Sequence, residues 1–535
     1  MAAMERPPSI DIPGSLNICA HFLEQPAGAH PDRVAILGEP REMTYGALAE
    51  LALRVAASIT RDGVRAGDRV LIALPDSAEF IAAFFGVART GAIAVPVNPV
   101  SREADFAHYL GNSGAHAAIV HAGALEAFLP AAKNAALERM VIVGGKASPL
   151  LYPAAVNWES WLASSQFSLP EPSTRATDPA FFLYTSGSGG SPKAAVHLHK
   201  DMLMCAWGFA QEILRISPRD RTYSVSKLFF AYGLGNGMYF PMSVGAQMIL
   251  DPERPRPERA AEVLAKYRPT IFYSVPTFYA ALLREIDRGL TADFSSVRIA
   301  VSAGERLPPE IFHQFHQRFG LEIIDAIGST EMLQMFLSPR PAMNGHPAAI
   351  RAGSCGMTVP GCDAKIVDDS GAEVPAGEIG NLWIRGGGAF AGYWNLPELT
   401  ARTIRGGWVV TGDKFFRDPD GFYHYCGRSD DMMKVAGMWV SPTEVENALL
   451  GHSRVAEAAV VAIVDEAGLT RPLAFVVLRA GDRPGHGLDS ELREFVRSRL
   501  PGYKCPAEIK FLDALPKTAT GKIQRFRLRS AASNE

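Results

Sequence analysis

The chain reads Tyr184-Thr185-Ser186-Gly187-Ser188-Gly189-Gly190-Ser191-Pro192-Lys193 between two short apolar runs. These runs are Phe181-Phe182-Leu183 and Ala194-Ala195-Val196, so the pattern predicts a strand, a loop and a second strand. The glycines let the backbone come close to a ligand, and the hydroxyls and backbone N–H groups suit phosphate oxygens. An ordinary Gly/Ser hairpin loop has the same composition. This stretch alone does not separate the two interpretations.

The loop differs from the phosphate loop of nucleoside triphosphatases. That loop has Gly-Lys followed by Ser or Thr at the start of a helix. Here Pro192 precedes Lys193 and Ala194 follows it. A phosphate group at this loop would therefore be bound in another way.

Length and charge narrow the class of protein. A chain of 535 residues is too long for one compact core, which indicates two or more domains. Lys and Arg together number 53 and Asp and Glu 56, which gives a net charge of -3. This balance gives no electrostatic reason to expect nucleic acid or an anionic membrane as a partner, and small polar metabolites fit better.

The cysteines and the N-terminus indicate a cytoplasmic protein. The six cysteines form no Cys-x-x-Cys pair, so we expect neither a zinc knuckle nor a disulfide framework. Residues 1–14 contain three prolines and two acidic residues where a signal peptide needs an apolar core. The most apolar long window, Phe80–Val97, is interrupted by Arg89 and Pro96, so no membrane span is expected.

Strands and helices alternate in the first part of the chain. The pattern predicts strands at 34–37, 70–74, 117–120 and 140–143, and helices at 45–62 and 77–89. Short apolar strands between amphipathic helices predict an α/β fold with a parallel or mixed sheet.

An aromatic segment, Lys227–Gly237, follows a predicted helix at 200–214. Its aromatics and glycines are typical either of a strand end and turn in the core or of the wall of an apolar slot. Its Gly-x-Gly-x-Gly spacing is not the dinucleotide-binding fingerprint. His197 and His199 have no visible third ligand, so packing is favoured over a metal site.

Two predicted strands end in polar residues. Strand 297–301 continues into Ser302-Ala303-Gly304-Glu305, and strand 322–326 into Ile327-Gly328-Ser329-Thr330-Glu331. Open α/β sheets bind ligands at the carboxyl ends of their strands. A carboxylate such as Glu331 can also stabilise a helix N-terminus without any ligand.

The predicted secondary structure changes after residue 377, where the pattern becomes one of short strands and glycine turns. Asp413 follows a strand, where it can cap a turn or accept hydrogen bonds from sugar hydroxyls. The charged segment Gly427–Gly437 predicts a boundary between a first domain, 1–429, and a second, 430–535. The second domain is predicted to be small and α+β, with helices at 442–450 and 490–500 and strands at 458–464 and 473–478.

Five stretches occur in the order found in the adenylate-forming superfamily, which includes the acyl-coenzyme A synthetases. They are the Gly/Ser loop, Gly328–Glu331, Thr411–Asp413, Gly427–Asp431 and Lys522 in a basic glycine loop. Each stretch is weak alone, but their joint order is specific, and the chain resembles this superfamily from Tyr184 to Lys522. The resemblance implies a large N-terminal α/β domain with mixed sheets that binds ATP, and a small mobile C-terminal α+β domain.

The resemblance also implies residue roles in activating a carboxylic acid with ATP. The acid and the α-phosphate are both anions, which repel unless positive groups and Mg²⁺ offset their charge. By resemblance, Glu331 holds the magnesium ion, Thr330 contacts phosphate and Lys522 stabilises charge in the transition state. Asp430 is the implied pivot of a domain rotation before thioester formation with coenzyme A. The other implied contacts are Thr185, Ser186, Gly187, Ser188, Gly190 and Lys193 for pyrophosphate, Ser302, Gly304, Glu305, Asp325, Ile327 and Gly328 on the adenine side, Asp413 for ribose, Arg428 for nucleotide charge and Gly437 beside the pantetheine tunnel.

Within the superfamily the chain looks closest to the benzoate–coenzyme A ligases. The implied acid slot consists of Ala231, Tyr232, Ala303, Gly304, Gly328, Gln334 and Met335, and a flat apolar cleft suits an aromatic ring. Those ligases have His and Ile where this chain has Gln334 and Met335. Because Gln brings both a donor and an acceptor, we expect benzoate or a hydroxy- or amino-substituted benzoate as the acid.

The opening loop departs from the superfamily pattern at two positions. Gly189 stands where Thr is usual, and Ala194 stands where Gly is usual. The missing hydroxyl removes one phosphate hydrogen bond, worth about 1–3 kcal/mol if it is charge-assisted. Slower adenylation or weaker ATP binding is the expected result.

Two alternatives stay open at the level of sequence. The acid could be loaded onto the phosphopantetheine of a carrier protein, which presents the same thiol arm as coenzyme A. An adenylate-binding protein with little catalysis is suggested only by Gly189. The oligomeric state is also open, with a homodimer as one option.

Overall fold

The computed structural model describes residues 10–38, 42–147, 152–163, 169–185, 191–342, 348–435, 438–464, 469–479, 481–485, 487–517 and 523–533. Several predicted site residues lie outside these ranges, namely Ser186, Gly187, Ser188, Gly189, Gly190, Gly437 and Lys522.

Two large sheets form the body of the first domain. The eight-stranded sheet has the spatial order Gly392–Tyr393, Lys193–Leu198, Pro179–Thr185, Ile93–Pro96, Arg69–Ala73, Ala117–His121, Arg139–Val143 and Ala155–Asn157. The seven-stranded sheet has the order Ile323–Asp325, Ile299–Ser302, Ile271–Ser274, Arg221–Ser224, Gln247–Leu250, Val34–Gly38 and Met43–Thr44. Both combine parallel pairs with antiparallel pairs at an edge. The α/β class with mixed sheets is thereby confirmed.

Two smaller antiparallel sheets complete this part of the chain. One is Ile327–Gly328, Met335–Ser338 and Met357–Thr358. The other is Cys362–Val367, Gly380–Gly386, Trp408–Arg417 and Ile404–Arg405, with Tyr423–Arg428 also paired to Trp408–Arg417.

The helices of the first part pack on these sheets. The α-helices are Gln25–Ala29, Tyr45–Arg61, Ala78–Arg89, Glu103–Ser113, Leu125–Ala132, Trp158–Ala163, His199–Cys205, Ala231–Leu234, Phe240–Met242, Pro257–Tyr267, Pro276–Asp287, Pro309–Phe319 and Pro397–Thr403. Short 3₁₀ turns lie at Ala122–Ala124 and Thr330–Met332, and π-helical turns at Ala20–Glu24, Ala206–Gln211 and Gly235–Tyr239.

Side-chain caps set the start of two helices that the sequence predicts. Thr44 and Ser77 have extended backbones, and their hydroxyl oxygens accept hydrogen bonds from the N–H groups of Ala47 and Phe80. Phe84, on the second helix, packs against Phe181 with ring centroids 5.4 Å apart. Burying a side chain of this size stabilises the fold by roughly 1.5–3 kcal/mol. The contact fixes the strand that leads into the Gly/Ser loop.

Two segments differ from their predicted secondary structure. The predicted helix 200–214 continues beyond Cys205 as a π-helical turn, in which a Cβ at Gly208 would lie 2.5 Å from the Pro360 carbonyl oxygen. The wide turn therefore accommodates a close backbone approach. Much of Lys227–Gly237 is helical, because Ala231–Leu234 and the following π-helical turn replace a strand end and turn.

The C-terminal part is a smaller α+β unit. Its strands are Met433–Val435, Met438–Val440, Val455–Val464, Thr470–Leu478 and Glu508–Phe511, and its helices are Pro442–Leu450, Leu488–Arg497 and Arg525–Ser533, with a 3₁₀ turn at Gly502–Lys504. The helix at 442–450 has the predicted bounds. The domain boundary after residue 429 stays a prediction. In the described ranges no helix is long and apolar enough to cross a membrane.

Candidate active site

The Gly/Ser loop connects two directly paired strands. Thr185 lies opposite Lys193 in an antiparallel ladder, so both ends of the loop meet at one edge of the eight-stranded sheet. Ser191 and Pro192 belong to the described part, and the Pro192 carbonyl oxygen lies 2.6 Å from His108 Nε2. Lys193 therefore has a defined position as the first residue of its strand.

Glu331 lies in a short 3₁₀ turn that Ser329 caps. The Ser329 hydroxyl accepts from the N–H of Met332, and the Tyr393 hydroxyl donates to Glu331 Oε1 at 2.6 Å. Burial and the neighbouring Glu331 carboxylate raise the pKa of Tyr393, so its hydroxyl stays protonated as a donor. The carboxylate is thereby held in one orientation.

Tyr393 also connects Glu331 to the Gly/Ser loop. The Lys193 ammonium lies 5.7 Å from the centroid of the Tyr393 ring, and Tyr393 pairs with Ala195 on the strand that begins at Lys193. The cation predicted to contact pyrophosphate and the carboxylate predicted to hold magnesium thus share one aromatic neighbour. The sequence analysis missed Tyr393, which lies in a two-residue strand with no pattern of its own.

A buried histidine supports the other side of the same turn. His197 Nε2 lies 2.8 Å from the Thr330 carbonyl oxygen, and His197 Nδ1 lies 3.0 Å from Asp201 Oδ2. Asp201 also accepts from the N–H of Leu198. His197 is fully buried, which agrees with the packing role preferred from the sequence.

A single carboxylate is a fitting donor for magnesium in this kind of site. Within the described ranges, no group of three or more His, Cys, Asp and Glu residues could hold a metal ion. Mg²⁺ usually keeps waters and takes one or two carboxylates together with substrate phosphates. Glu331, fixed by Tyr393, matches that requirement.

The predicted adenine side lies at the carboxyl ends of two adjacent parallel strands. Ser302 and Asp325 are paired in register, and Ala303, Gly304 and half-buried Glu305 follow Ser302. Asp325 accepts from the N–H of Leu307 at 3.3 Å. Burial raises the pKa of Asp325 to about 7, although the Leu307 N–H and Arg306 oppose the shift. Within the described chain, the Ser302 hydroxyl is buried with no hydrogen-bond partner.

The predicted ribose residue lies next to the predicted nucleotide arginine. Asp413 and Arg428 are paired on neighbouring strands, and Arg428 Nη1 donates to Asp413 Oδ1 at 3.0 Å and to the Thr411 carbonyl at 2.9 Å. Asp430 is exposed and lies two residues beyond the end of the arginine's strand. This position, between the two parts of the chain, suits the predicted pivot.

Four of the predicted acid-slot residues lie next to Gln334, namely Ala231, Tyr232, Gly328 and Met335. Gln334 Nε2 donates to the carbonyl oxygens of Ala231 at 2.6 Å and Tyr232 at 3.2 Å. The Tyr232 hydroxyl donates to the Ser274 carbonyl at 3.0 Å. Met335 pairs with Gly328, where a Cβ would lie 2.5 Å from the Gln334 carbonyl oxygen. Gly328 therefore permits a close backbone approach at the slot.

Comparison with known proteins gives consistent matches over the whole chain. Residues 23–394 match the AMP-binding enzyme family, and residues 444–522 match the AMP-binding enzyme C-terminal domain. The benzoate–CoA ligase of Thauera aromatica is 41% identical over 98% of both chains. Among solved structures, the anthranilate CoA ligase AuaEII in complex with anthranoyl-AMP has a TM-score of 0.90 and 38% identity over 98% of both chains. A benzoate CoA ligase from Burkholderia xenovorans LB400 has a TM-score of 0.86 and 39% identity, over 96% of this chain and 99% of that one.

Proposed function

This chain belongs to the AMP-binding enzyme family, and from that membership we propose that it is an ATP-dependent aryl-acid:coenzyme A ligase. The acid attacks the α-phosphate of ATP to form an aryl adenylate and pyrophosphate. The thiol of coenzyme A then displaces AMP and forms the thioester. The acid is benzoate or a hydroxy- or amino-substituted benzoate.

The geometry of one hairpin is the main support for the proposal. The strands Ile327–Gly328 and Met335–Ser338 are antiparallel neighbours, and the 3₁₀ turn with Thr330 and Glu331 connects them. The proposed magnesium carboxylate and the proposed slot residue Gln334 therefore lie three residues apart on one short connection. This arrangement supports adenylation because the nucleotide and the acid must meet at a single atom.

The charged residues of the site have complementary proposed roles. Bound Mg²⁺ would neutralise charge on the phosphates. Glu331 would hold that ion, Lys193 with the rest of its loop would bind pyrophosphate, and Lys522 would stabilise the charge that develops between carboxylate and α-phosphate. Arg428 beside Asp413 would place the ribose and its phosphate.

The two-domain organisation has a proposed role in the second half-reaction. We place the boundary between 1–429 and 430–535, with Asp430 as the pivot and Gly437 beside the passage of the pantetheine arm. A glycine leaves space for a thin chain. We also infer a cytoplasmic location, where ATP and coenzyme A are available and where the six cysteines, which form no disulfide in the structure, would stay reduced.

Acid-dependent release of AMP and pyrophosphate tests the proposal. Purified protein is incubated with ATP, Mg²⁺ and coenzyme A and with benzoate, the three hydroxybenzoates, 2-aminobenzoate, furoate, cinnamate or medium-chain fatty acids. Turnover of an aryl acid but not of fatty acids is the expected result, and it should disappear in Glu331→Gln. Release only with fatty acids, or none with any acid, would contradict the proposal.

A further inference from the structure

The helix Glu103–Ser113 contacts both strands that flank the Gly/Ser loop. His108 Nε2 lies 2.6 Å from the Pro192 carbonyl oxygen at the end of the loop. At the start of the loop, the Tyr184 hydroxyl donates to Asn112 Oδ1 at 2.9 Å. His108 and Asn112 are four residues apart in the helix, so their side chains project from the same face. One helix face therefore contacts both ends of the loop.

This helix is anchored in the core. Phe106 and Leu110 are buried, and the Phe106 ring packs edge-on against Phe128 with ring centroids 5.2 Å apart. The helix ends at Gly114, which has a left-handed backbone and donates its N–H to the Leu110 carbonyl oxygen. A helix that is fixed both at its buried face and at its end is a firm support for the side chains that it directs at the loop.

The hydrogen bond from His108 fixes the peptide group that precedes Lys193. A carbonyl oxygen only accepts hydrogen bonds, so His108 Nε2 carries a proton and donates it to the Pro192 carbonyl. Proline has no backbone N–H, and the ladder between the two strands begins one residue later, where Lys193 pairs with Thr185. Because the peptide group is planar, holding the Pro192 carbonyl also sets the direction in which the chain enters Lys193.

We propose that His108 is a positioning residue for Lys193, the cation that is proposed to bind pyrophosphate. His108 holds the backbone just before Lys193, and the Tyr393 ring lies 5.7 Å from the Lys193 ammonium at the other end of the side chain. The ammonium then meets the β- and γ-phosphates of ATP without first losing freedom of its backbone. The inference rests on the proposed function and adds a residue outside the phosphate contacts.

Binding of ATP and of AMP tests the inference in His108→Phe. This variant keeps a ring beside Tyr184, which lies 6.1 Å from the His108 ring between centroids, but it lacks the N–H donor. Calorimetric titration with Mg²⁺ should show the Kd for ATP rising roughly 3- to 10-fold. The Kd for AMP should stay unchanged, because AMP has no β- or γ-phosphate. An unchanged Kd for ATP, or an equal rise for ATP and AMP, would overturn the inference.

A second variant and a matched control identify the hydrogen bond as the cause. His108→Gln restores an N–H donor and should recover most of the ATP affinity, whereas a Kd as high as in His108→Phe would overturn the assignment. His121→Phe is the control, because His121 Nδ1 accepts from the N–H of Gly123 at 3.1 Å, away from the loop; both Kd values should stay unchanged. These titrations need no aryl acid, so their failure overturns the role of His108 and leaves the ligase function intact. Absence of turnover with every aryl acid would refute the ligase function alone.

Discussion

Tyr393 shows how a residue outside the reacting groups can determine the geometry of a proposed metal site. Its hydroxyl donates to Glu331 Oε1 at 2.6 Å, and its ring neighbours the Lys193 ammonium. Partners that orient a metal-binding carboxylate commonly affect metal affinity or activity 10- to 100-fold. We therefore expect this hydrogen bond to affect magnesium binding.

Removing the Tyr393 hydroxyl should weaken the use of magnesium. In Tyr393→Phe we expect adenylation to fall roughly 10- to 100-fold and the Mg²⁺ concentration for half-maximal rate to rise. Tyr423→Phe is the control, since that hydroxyl donates to the Ala364 carbonyl. An unchanged magnesium dependence in Tyr393→Phe would show that the hydroxyl does not position Glu331.

Asp325 should make stability depend on pH. Burial raises its pKa to about 7 in the folded protein, against 3.8 for an ordinary Asp, so ionising it costs the native state roughly 1.4 kcal/mol for each pKa unit. Its protonation favours the fold below about pH 4, and this advantage is lost as the pH rises to about 7. Asp325→Asn removes the titration. In thermal melts, the Tm of the variant relative to that of the wild type should therefore rise between pH 5 and pH 8. A Tm difference that does not change with pH would contradict the assignment.

Two elements hold the proposed acid-slot residues in place, namely the π-helical turn Gly235–Tyr239 and the hairpin that begins at Ile327. The turn brings Gly235 against the Gln334 amide, and the hairpin brings Met335 against Gly328. The first contact joins residues 99 positions apart in the chain and depends on tertiary packing, so local periodicity contains no signal for it. The second contact lies within one hairpin.

Replacing Gly235 should therefore damage acid binding specifically. In Gly235→Ala the new Cβ would lie 2.2 Å from Gln334 Nε2, so the amide must move away from the Ala231 and Tyr232 carbonyls. We expect KM for the acid to rise about tenfold or more, with KM for ATP unchanged. Gly111→Ala, a helical position with nothing within 4 Å, is the matched control and should have no effect on either constant. Equal changes in both KM values would indicate general unfolding instead.

Sequence patterns predicted some elements well because those elements are determined locally. The strands around the Gly/Ser loop have strong apolar runs, and Thr44 caps a helix whose pattern is visible within a few residues. The polar strand ends were interpreted from the rule that open α/β sheets bind ligands at the carboxyl ends of their strands, and the structure pairs Ser302 with Asp325 in register at two such ends. Tyr393 was missed because its two-residue strand is too short to show a pattern. The strand forms only by pairing with Ala195, which is 198 positions away in the chain. The contacts of the Gln334 amide with the Ala231 and Tyr232 carbonyls had no sequence signal either, since they join residues about 100 positions apart.

At the scale of the whole molecule, we propose that two half-reactions use one site and that the boundary between two domains follows residue 429. The first part of the chain holds the proposed nucleotide and acid residues, and the smaller α+β part follows Asp430. The predicted residues Lys522 and Gly437 lie outside the described ranges, so their roles are open to test by kinetics.

Two variants should each impair a different half-reaction. Lys522→Ala should reduce adenylate formation at least 100-fold, on the order of 3 kcal/mol, and largely spare thioester formation from supplied aryl adenylate. Gly437→Leu should do the reverse, because a larger side chain obstructs the thiol arm. Single-turnover measurements of each step check this. Parallel losses in both steps for both variants would refute a division of labour between two conformations.

Detection of the product thioester tests the central claim most directly. The protein, ATP, Mg²⁺, free coenzyme A and an aminobenzoate or hydroxybenzoate are mixed without any carrier protein, and the products are identified by mass spectrometry. An aryl-coenzyme A thioester formed in step with AMP is the predicted result. Accumulation of aryl adenylate without a coenzyme A thioester would contradict the claim and indicate a carrier-protein acceptor.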